Sequence, residues 1–464
     1  MSTMELLTKT TGIRNPNYFN GRVLTADTLR GGQEADRQHR RQIGQALGEG
    51  VVYGFEVALS LNSTAQRPAL DVTSGLAFNR NGDAIALPED LTIELVPQTQ
   101  IQSSDAGLFV DCAPPPPPTE LINFGFHILT ARPTSEFKES APMVGLNGAG
   151  VASGCGKRYA VEGLKFFLTQ MPLSAGVNEI GLRADVVRLG ALIDQQTLSL
   201  LQATGTAAIQ LRAQIAANLS KLRNGAAHLC FGTDRVADFP VNPFARAAGK
   251  STFTGYGAID ELRAQSKLTN CDMPLALLYW TKDGVQFVDM WPARRELVPR
   301  LANTLWPLPT SHRRLIEGEA AFFQFQQQVE DMFRSNLAQS ALSAVAAENY
   351  FFFLPAAGII PLTGIKGSRG FDYLKFFEHL TTRNPVFMEG AKLEHLIRAS
   401  LAYTPIEVKS KELVWLYLVS QNMQSIAENI SSQAQPYLVF TNGHLPFHGE
   451  ARYDLSRFDY SNYV

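Results

Sequence analysis

The sequence predicts a multi-domain α+β protein, and three observations carry that expectation. Period-two alternation of apolar residues runs through much of the first third of the chain. Two long stripes at helical spacing occupy the middle. After residue 350, short strand-like runs alternate with short helical ones. A chain of 464 residues has room for roughly three domains. The expected division is a β-rich unit with one helix over 1–180, a helical region with a small β insertion over 181–349, and an α/β unit over 350–464. Hydrophobic content of 45% and charged content of 18% are ordinary for a globular chain, so a core of useful size is expected.

The first element is a loop, Asn15 to Gly21, whose asparagines, proline and glycine impose turns around Tyr18 and Phe19. A polar helix follows, with Thr25 as N-cap and Asp27 in the first turn, facing the positive helix end. Gly31-Gly32 falls inside it. Glycine costs about 1 kcal/mol against alanine in a helix interior, so a late start or a kink is expected there. Gly50 to Val57 begins an extended run in which Phe55, Val57, Leu59 and Leu61 share one parity. Asn79 to Asp83 reads as a hairpin turn, and Leu91, Ile93 and Leu95 alternate again.

Five consecutive prolines within Ala113 to Thr119 form a stiff polyproline segment, read as a spacer between strands or as a ligand for an aromatic groove. Strands are expected at Leu121 to Ala131 and Tyr159 to Met171, joined by a Gly/Ala/Ser loop over Pro142 to Gly156. Asp185 to Leu222 reads helical, and Asn224-Gly225 is a suitable stop. Loop with short structure fills 232–267. Strands return over Pro274 to Leu297, turning at Lys282-Asp283-Gly284. The clearest helix is Ser311 to Asn349, capped by Ser311; its apolar stripe reads as core packed against the preceding helix. The last unit holds a helix at Lys392 to Tyr403, a buried strand at Leu413 to Val419, a helix at Asn422 to Ser432 and a strand at Tyr437 to Phe440.

The formal net charge of −2 argues against general nucleic-acid binding, which needs a basic surface to neutralise phosphates. Met1 to Pro16 lacks the apolar core of a signal peptide, and the most apolar run, Tyr350 to Ile365, is short and broken by Pro355 and Pro361. A cytoplasmic chain without a membrane span is expected, with release or membrane docking as part of a larger particle left open. The four cysteines, Cys112, Cys155, Cys230 and Cys271, make no CxxC pair, so no zinc site is indicated and reduced, buried thiols are expected. A bond between Cys112 and Cys155, which flank one β-rich region, is the alternative.

Signatures of catalysis are missing where the chemistry would need them. Gly249-Lys250-Ser251-Thr252 imitates the end of a phosphate loop, but Phe244 stands where the loop needs glycine to bring backbone donors onto phosphate. His444 and His448 are four apart, with Glu450 and Asp454 near. Pro446 lies between them, so no helix presents them as metal ligands. No catalytic residue, cofactor or metal is expected. The candidate contact residues are Tyr18 and Phe19 in the opening loop, Arg37, Arg40 and Arg41 in the basic helix cluster, and Tyr453, Phe458 and Tyr460 in the C-terminal segment, where aromatics stand among charges.

The stretch Asn15 to Val57 resembles the opening of a bacterial family of baseplate and tail-associated proteins of phage-tail-like contractile injection machines. The likeness lies in Tyr18-Phe19-Asn20-Gly21, in Leu24-Thr25-Ala26-Asp27, in the Arg37 to Arg41 helix and in Gly50 to Val57. It continues in islands: Val72 to Pro88, Cys155 to Arg158 before Glu162-Gly163, Cys271 to Leu297, and Leu354 to Gly358. The resemblance implies a structural subunit, present in several copies, that binds other baseplate or tail subunits inside a particle, and it brings no catalytic motif. A carbohydrate- or surface-binding module on the same particle and a cell-wall hydrolase are the rival readings.

Overall fold

A computed structural model describes residues 12–95, 109–111, 124–144, 152–176, 179–233, 257–297, 312–334, 342–361, 371–401, 403–420 and 437–444. Within them the chain is α+β throughout.

Helix α1 (Ala26–Leu47) starts where the sequence placed it: the Thr25 hydroxyl accepts from the Thr28 amide at 3.2 Å. It runs unbroken through Gly31-Gly32. A side chain at Gly31 would meet Pro16, and one at Gly32 would meet the Tyr18 hydroxyl. These glycines leave the helix surface bare where Pro16 and Tyr18 lie on it. Strands β1 (Gly50–Gly54), β4 (Gly75–Phe78) and β5 (Ala84–Leu87) form one antiparallel sheet. Strands β2 (Val57–Leu59), β3 (Ala69–Val72) and β6 (Leu91–Glu94) form a second. The alternation expected from Phe55 to Leu61 stops early: Phe55 and Val57 are buried, while Leu59 and Leu61 are exposed. Phe55 takes φ 52°, and that break separates β1 from β2.

Strands β7 (Phe109–Asp111), β8 (Gly125–Val144), β9 (Ala152–Gln170), β10 (Met273–Thr281) and β11 (Gly284–Asp289) form the central sheet, in which β8 pairs with β9 along one edge and with β10 and β7 along the other. Here the expected loop over Pro142 to Gly156 is corrected. Pro142 pairs with Cys155 and Met143 with Gly154, so the two strands run on well past the sheet as a ribbon. Leu275 to Leu278 are buried because both faces of the sheet are covered. Leu129, Ala131, Ala276 and Leu278 pack toward Val51, Leu70 and Ile85. Ile128, Leu277 and Tyr279 pack toward α2 (Leu182–Leu200), α3 (Gly205–Phe231) and α4 (Ala258–Ala264).

The expected single helix from Asp185 is two helices, broken over 201–204. Its expected stop is also corrected: α3 continues through Asn224-Gly225 to Phe231, and Gly232 (φ 70°) provides the left-handed cap. The Asn224 side chain is used elsewhere. It accepts from the amides of Phe352 and Phe353 at 2.9 and 3.1 Å and donates to the Phe353 carbonyl at 3.0 Å. Gly225 makes room for Val186 and Phe352, which a side chain there would meet at 2.6 and 2.8 Å.

Helix α5 (His312–Arg334) packs Phe325, Val329, Met332 and Phe333 into a phenylalanine-rich core with Phe351, Phe371, Phe376, Phe377 and Phe440. The expected helix over Ser311 to Asn349 is therefore shorter; two single turns of 3-10 helix, Leu342–Ala344 and Ala347–Asn349, precede the next strand. Strand β12 (Phe353–Leu354) pairs with β16 (Ile406–Glu407). The last sheet is β13 (Ala357–Pro361), β18 (Tyr437–Asn442), β17 (Leu413–Ser420) and β14 (Thr381–Thr382), with β15 (Val386–Glu389) also on β17. Along β17, Val414 and Leu416 face the α5 side, whereas Trp415, Tyr417 and Val419 face a second core closed by α6 (Leu393–Ser400). The expected helix at Asn422 to Ser432, the proline run and the Ser311 cap lie outside the described residues.

Candidate functional site

The opening segment and α1 expose several large apolar side chains. Asn20-Gly21 make a turn closed by the Arg22 amide donating to the Phe19 carbonyl at 3.1 Å, with Gly21 at φ 88°. Arg22 also donates to the Asn17 carbonyl, and its guanidinium lies 5.9 Å from the Phe19 ring centroid. Tyr18 remains 54% exposed and Phe19 64%, although Pro16 and Tyr18 rest on Gly31-Gly32. Val23, Leu24 and Leu29 are exposed in the same stretch, and Ile43 is exposed farther along α1.

Helix α1 is fixed to the body at its C-terminal half. Gly44 and Gly82 touch backbone to backbone, so neither position has space for a Cβ. Arg41 donates to Asp83 at 2.5 Å and Gln45 to the Asn81 carbonyl at 3.2 Å. Of the predicted contact residues, Arg41 is thus engaged within the chain. Arg37 makes an exposed pair with Glu34 at 3.6 Å, and Arg40 reaches the Asp36 carbonyl at 3.4 Å. Tyr453, Phe458 and Tyr460 lie outside the described residues. The β8–β9 ribbon exposes two further aromatics, Phe137 and Tyr159, on opposite faces, since Phe137 stands across from Ala160 and Tyr159 across from Lys138.

Two clefts also gather charged side chains. One, of about 340 Å³, lies where the end of α1 meets α4 and α5. Its charges answer one another: Arg80 pairs with Glu49 at 2.5 Å and Asp260 at 3.4 Å, and Arg263 pairs with Glu49. The other, of about 260 Å³, lies between α3, α5 and β11. Its base is the network in which Arg223 holds Asp289 at 2.7 Å and Asp331 at 2.9 Å while Gln324 donates to Asp289 at 3.2 Å.

The strongly shifted groups are placed for packing. Burial lowers His228 to about 3; it sits at 2.8 Å from the Thr233 hydroxyl and against Phe231 and Phe353. Burial raises the Cys230 thiol to about 12 and the Tyr279 hydroxyl to about 12. A thiol so shifted is a poor nucleophile and an imidazole so shifted a poor base. Cys230 is free, as expected, whereas Cys271 is disulfide-bonded, to a partner outside the described side chains. That corrects the expectation of reduced thiols, since sequence spacing does not report which cysteines approach in space. Cys112 and the side chain of Cys155 lie outside the described residues, as do Gly249 to Thr252 and His448.

Glu348, Glu378 and His379 bring ligand atoms within 4.8 Å of one another on the surface. They already contact other groups: the His379 ring lies 3.0 Å from Glu348, and Glu378 pairs with Lys375. Among the described residues, no helix is long and apolar enough to cross a membrane.

No known protein-family profile matches the chain, and no curated protein matches it. Among solved structures it has a weak likeness to the crystal structure of TssK, with 14% identity over 56% of this chain and 73% of the other, at a TM-score of 0.19. The functional reading therefore rests on this chain's own residues.

Proposed function

We propose that the protein is a non-catalytic structural subunit that works through protein–protein contacts, as a peripheral baseplate component of a phage-tail-like contractile injection particle. The observation that supports it is the opening segment, where Tyr18 and Phe19 are more than half exposed on a loop held by its own turn and by α1. Aromatic side chains carry much of the binding energy at interfaces. A loop already held in place loses little further freedom on docking. The particle itself is suggested by the resemblance of Asn15 to Val57 to such subunits.

The test pairs stability with incorporation. Tyr18→Ala with Phe19→Ala is expected to leave the melting temperature of the isolated protein nearly unchanged while the protein disappears from purified particles. Particles that keep a full complement of the folded double variant would contradict the docking role. Exposed aromatics are also the chemistry of sugar binding, so specific signals on a glycan array abolished by the same double variant would favour the surface-binding alternative. Solubilisation of peptidoglycan by the purified chain would overturn the non-catalytic part.

A further inference from the structure

The outward side of α1 is patterned. At about 100° per residue, Leu29, Asp36, Arg40, Ile43 and Leu47 fall within an arc of about 60°. All five are exposed, Leu29 at 52% and Ile43 at 63%, while the buried residues of the helix are Ala35 and Gly44. Among the described residues, neither the Asp36 carboxylate nor the Arg40 guanidinium has an ion-pair partner; Arg40 reaches only the Asp36 carbonyl. Three apolar side chains and two opposite charges thus share one face that stays exposed among the described residues, with Leu47, 40% exposed, also lining the cleft at the end of α1.

The spacing of these residues fits a copy of itself. When two such helices run antiparallel with Gln38 at the centre, Leu29 of one stands opposite Leu47 of the other. Asp36 then stands opposite Arg40, and Gln33 opposite Ile43, each match occurring twice by the two-fold axis. The parallel arrangement in register sets Asp36 against Asp36 and Arg40 against Arg40, which repel. We infer that α1 pairs antiparallel with α1 of a second copy of this chain, giving a two-fold dimer that joins apolar ends and a charged centre. This deepens and rests on the assembly reading above, naming one of the partners in the particle.

Charge reversal in the full-length chain tests it, because each copy carries both members of the pair. Sedimentation at tens of micromolar protein is expected to show a dimer. Asp36→Arg alone and Arg40→Asp alone each place like charges across the axis, and each is expected to weaken association at least about ten-fold. The double variant Asp36→Arg with Arg40→Asp restores the complement and is expected to recover dimerisation to within a few-fold. Ile43→Asp is expected to abolish it. These side chains are exposed, so unchanged melting temperatures verify that each variant is folded. A wild-type chain that stays monomeric at 100 μM, or a double variant no better than the singles, overturns the pairing. If that monomeric chain still enters particles and loses entry through the Tyr18 and Phe19 changes, the pairing alone fails. If the dimer forms but the loop variant still enters particles, the docking role assigned to the loop fails instead.

Discussion

Helix α1 runs for 22 residues and buries two of them, Ala35 and Gly44, whereas α3 runs for 27 and buries every residue from Leu222 to Phe231. A helix enclosed on all sides belongs to a core, and one enclosed only at two small residues has most of its surface left for something else. The glycines follow the same division. Gly225 in α3 admits Val186 and Phe352 into the core, whereas Gly31 and Gly32 in α1 seat a loop whose aromatics stay outside. Polar groups divide likewise: Arg223 and Asn224 bind buried partners, while Arg37 and Arg40 make only exposed, local contacts. One helix holds the molecule together and the other displays a surface.

The sharpest way to break this contrast is at Arg223. Its removal leaves Asp289 buried with Gln324 and without its main counter-charge. Losing one partner of a buried pair costs about 3–5 kcal/mol, so Arg223→Leu is expected to lower the melting temperature by many degrees or abolish soluble expression. Arg40→Leu should change the isolated protein by about 0.5 kcal/mol at most.

Acid should act through the same helix. His228 has its folded pKa lowered to about 3 by burial, against 6.5 when exposed. Between those values the unfolded chain holds a proton that the folded chain lacks, so stability falls as pH falls through that window and is fully present above it. The contribution is on the order of 5 kcal/mol across the whole window. Denaturant titrations at pH 7 and pH 4.5 should show the loss, and a folded His228→Gln variant should lose less over the same interval.

The glycines give smaller effects of opposite sign. Gly225→Ala brings a methyl within 2.6 Å of Val186 and 2.8 Å of Phe352, so overpacking should cost about 1–3 kcal/mol. Gly31→Ala meets only Pro16 at 3.5 Å and should gain up to about 1 kcal/mol from helix propensity. Equal destabilisation by both would remove the distinction between the two helices. The smallest effect is expected from Ile43→Asp, which should leave unfolding of the isolated chain within about 0.5 kcal/mol of wild type.

Local chemistry made much of the architecture legible. Thr25 capped α1, Asn79 to Asp83 turned β4 into β5, and Lys282-Asp283-Gly284 turned β10 into β11, because each signal acts within a few residues. Signals of the same kind misled where a distant partner changed their meaning. Asn224-Gly225 resembled a helix stop, yet Phe352 and Phe353 lie more than a hundred residues away and use both residues for packing. Pro142, Gly154 and Gly156 resembled a loop, yet cross-strand pairing carries them in a ribbon. At the candidate site, the sequence marked Tyr18 and Phe19 by their turn. It did not show that Arg41 turns inward to Asp83, because that contact spans 42 positions.

Helix α1 is a surface that is free in the monomer and, on the proposed reading, covered in the particle. Amide hydrogen exchange compares the two states directly. In the isolated chain, diluted until it sediments as a monomer, the outward amides of α1 should exchange far faster than those of α3 between Leu222 and Phe231, since α1 has few buried contacts to protect it. In purified particles, protection over Tyr18 to Leu47 should rise at least about ten-fold while α3 is unchanged. Equal exchange of α1 in the two states would contradict the claim that this segment is where the protein docks.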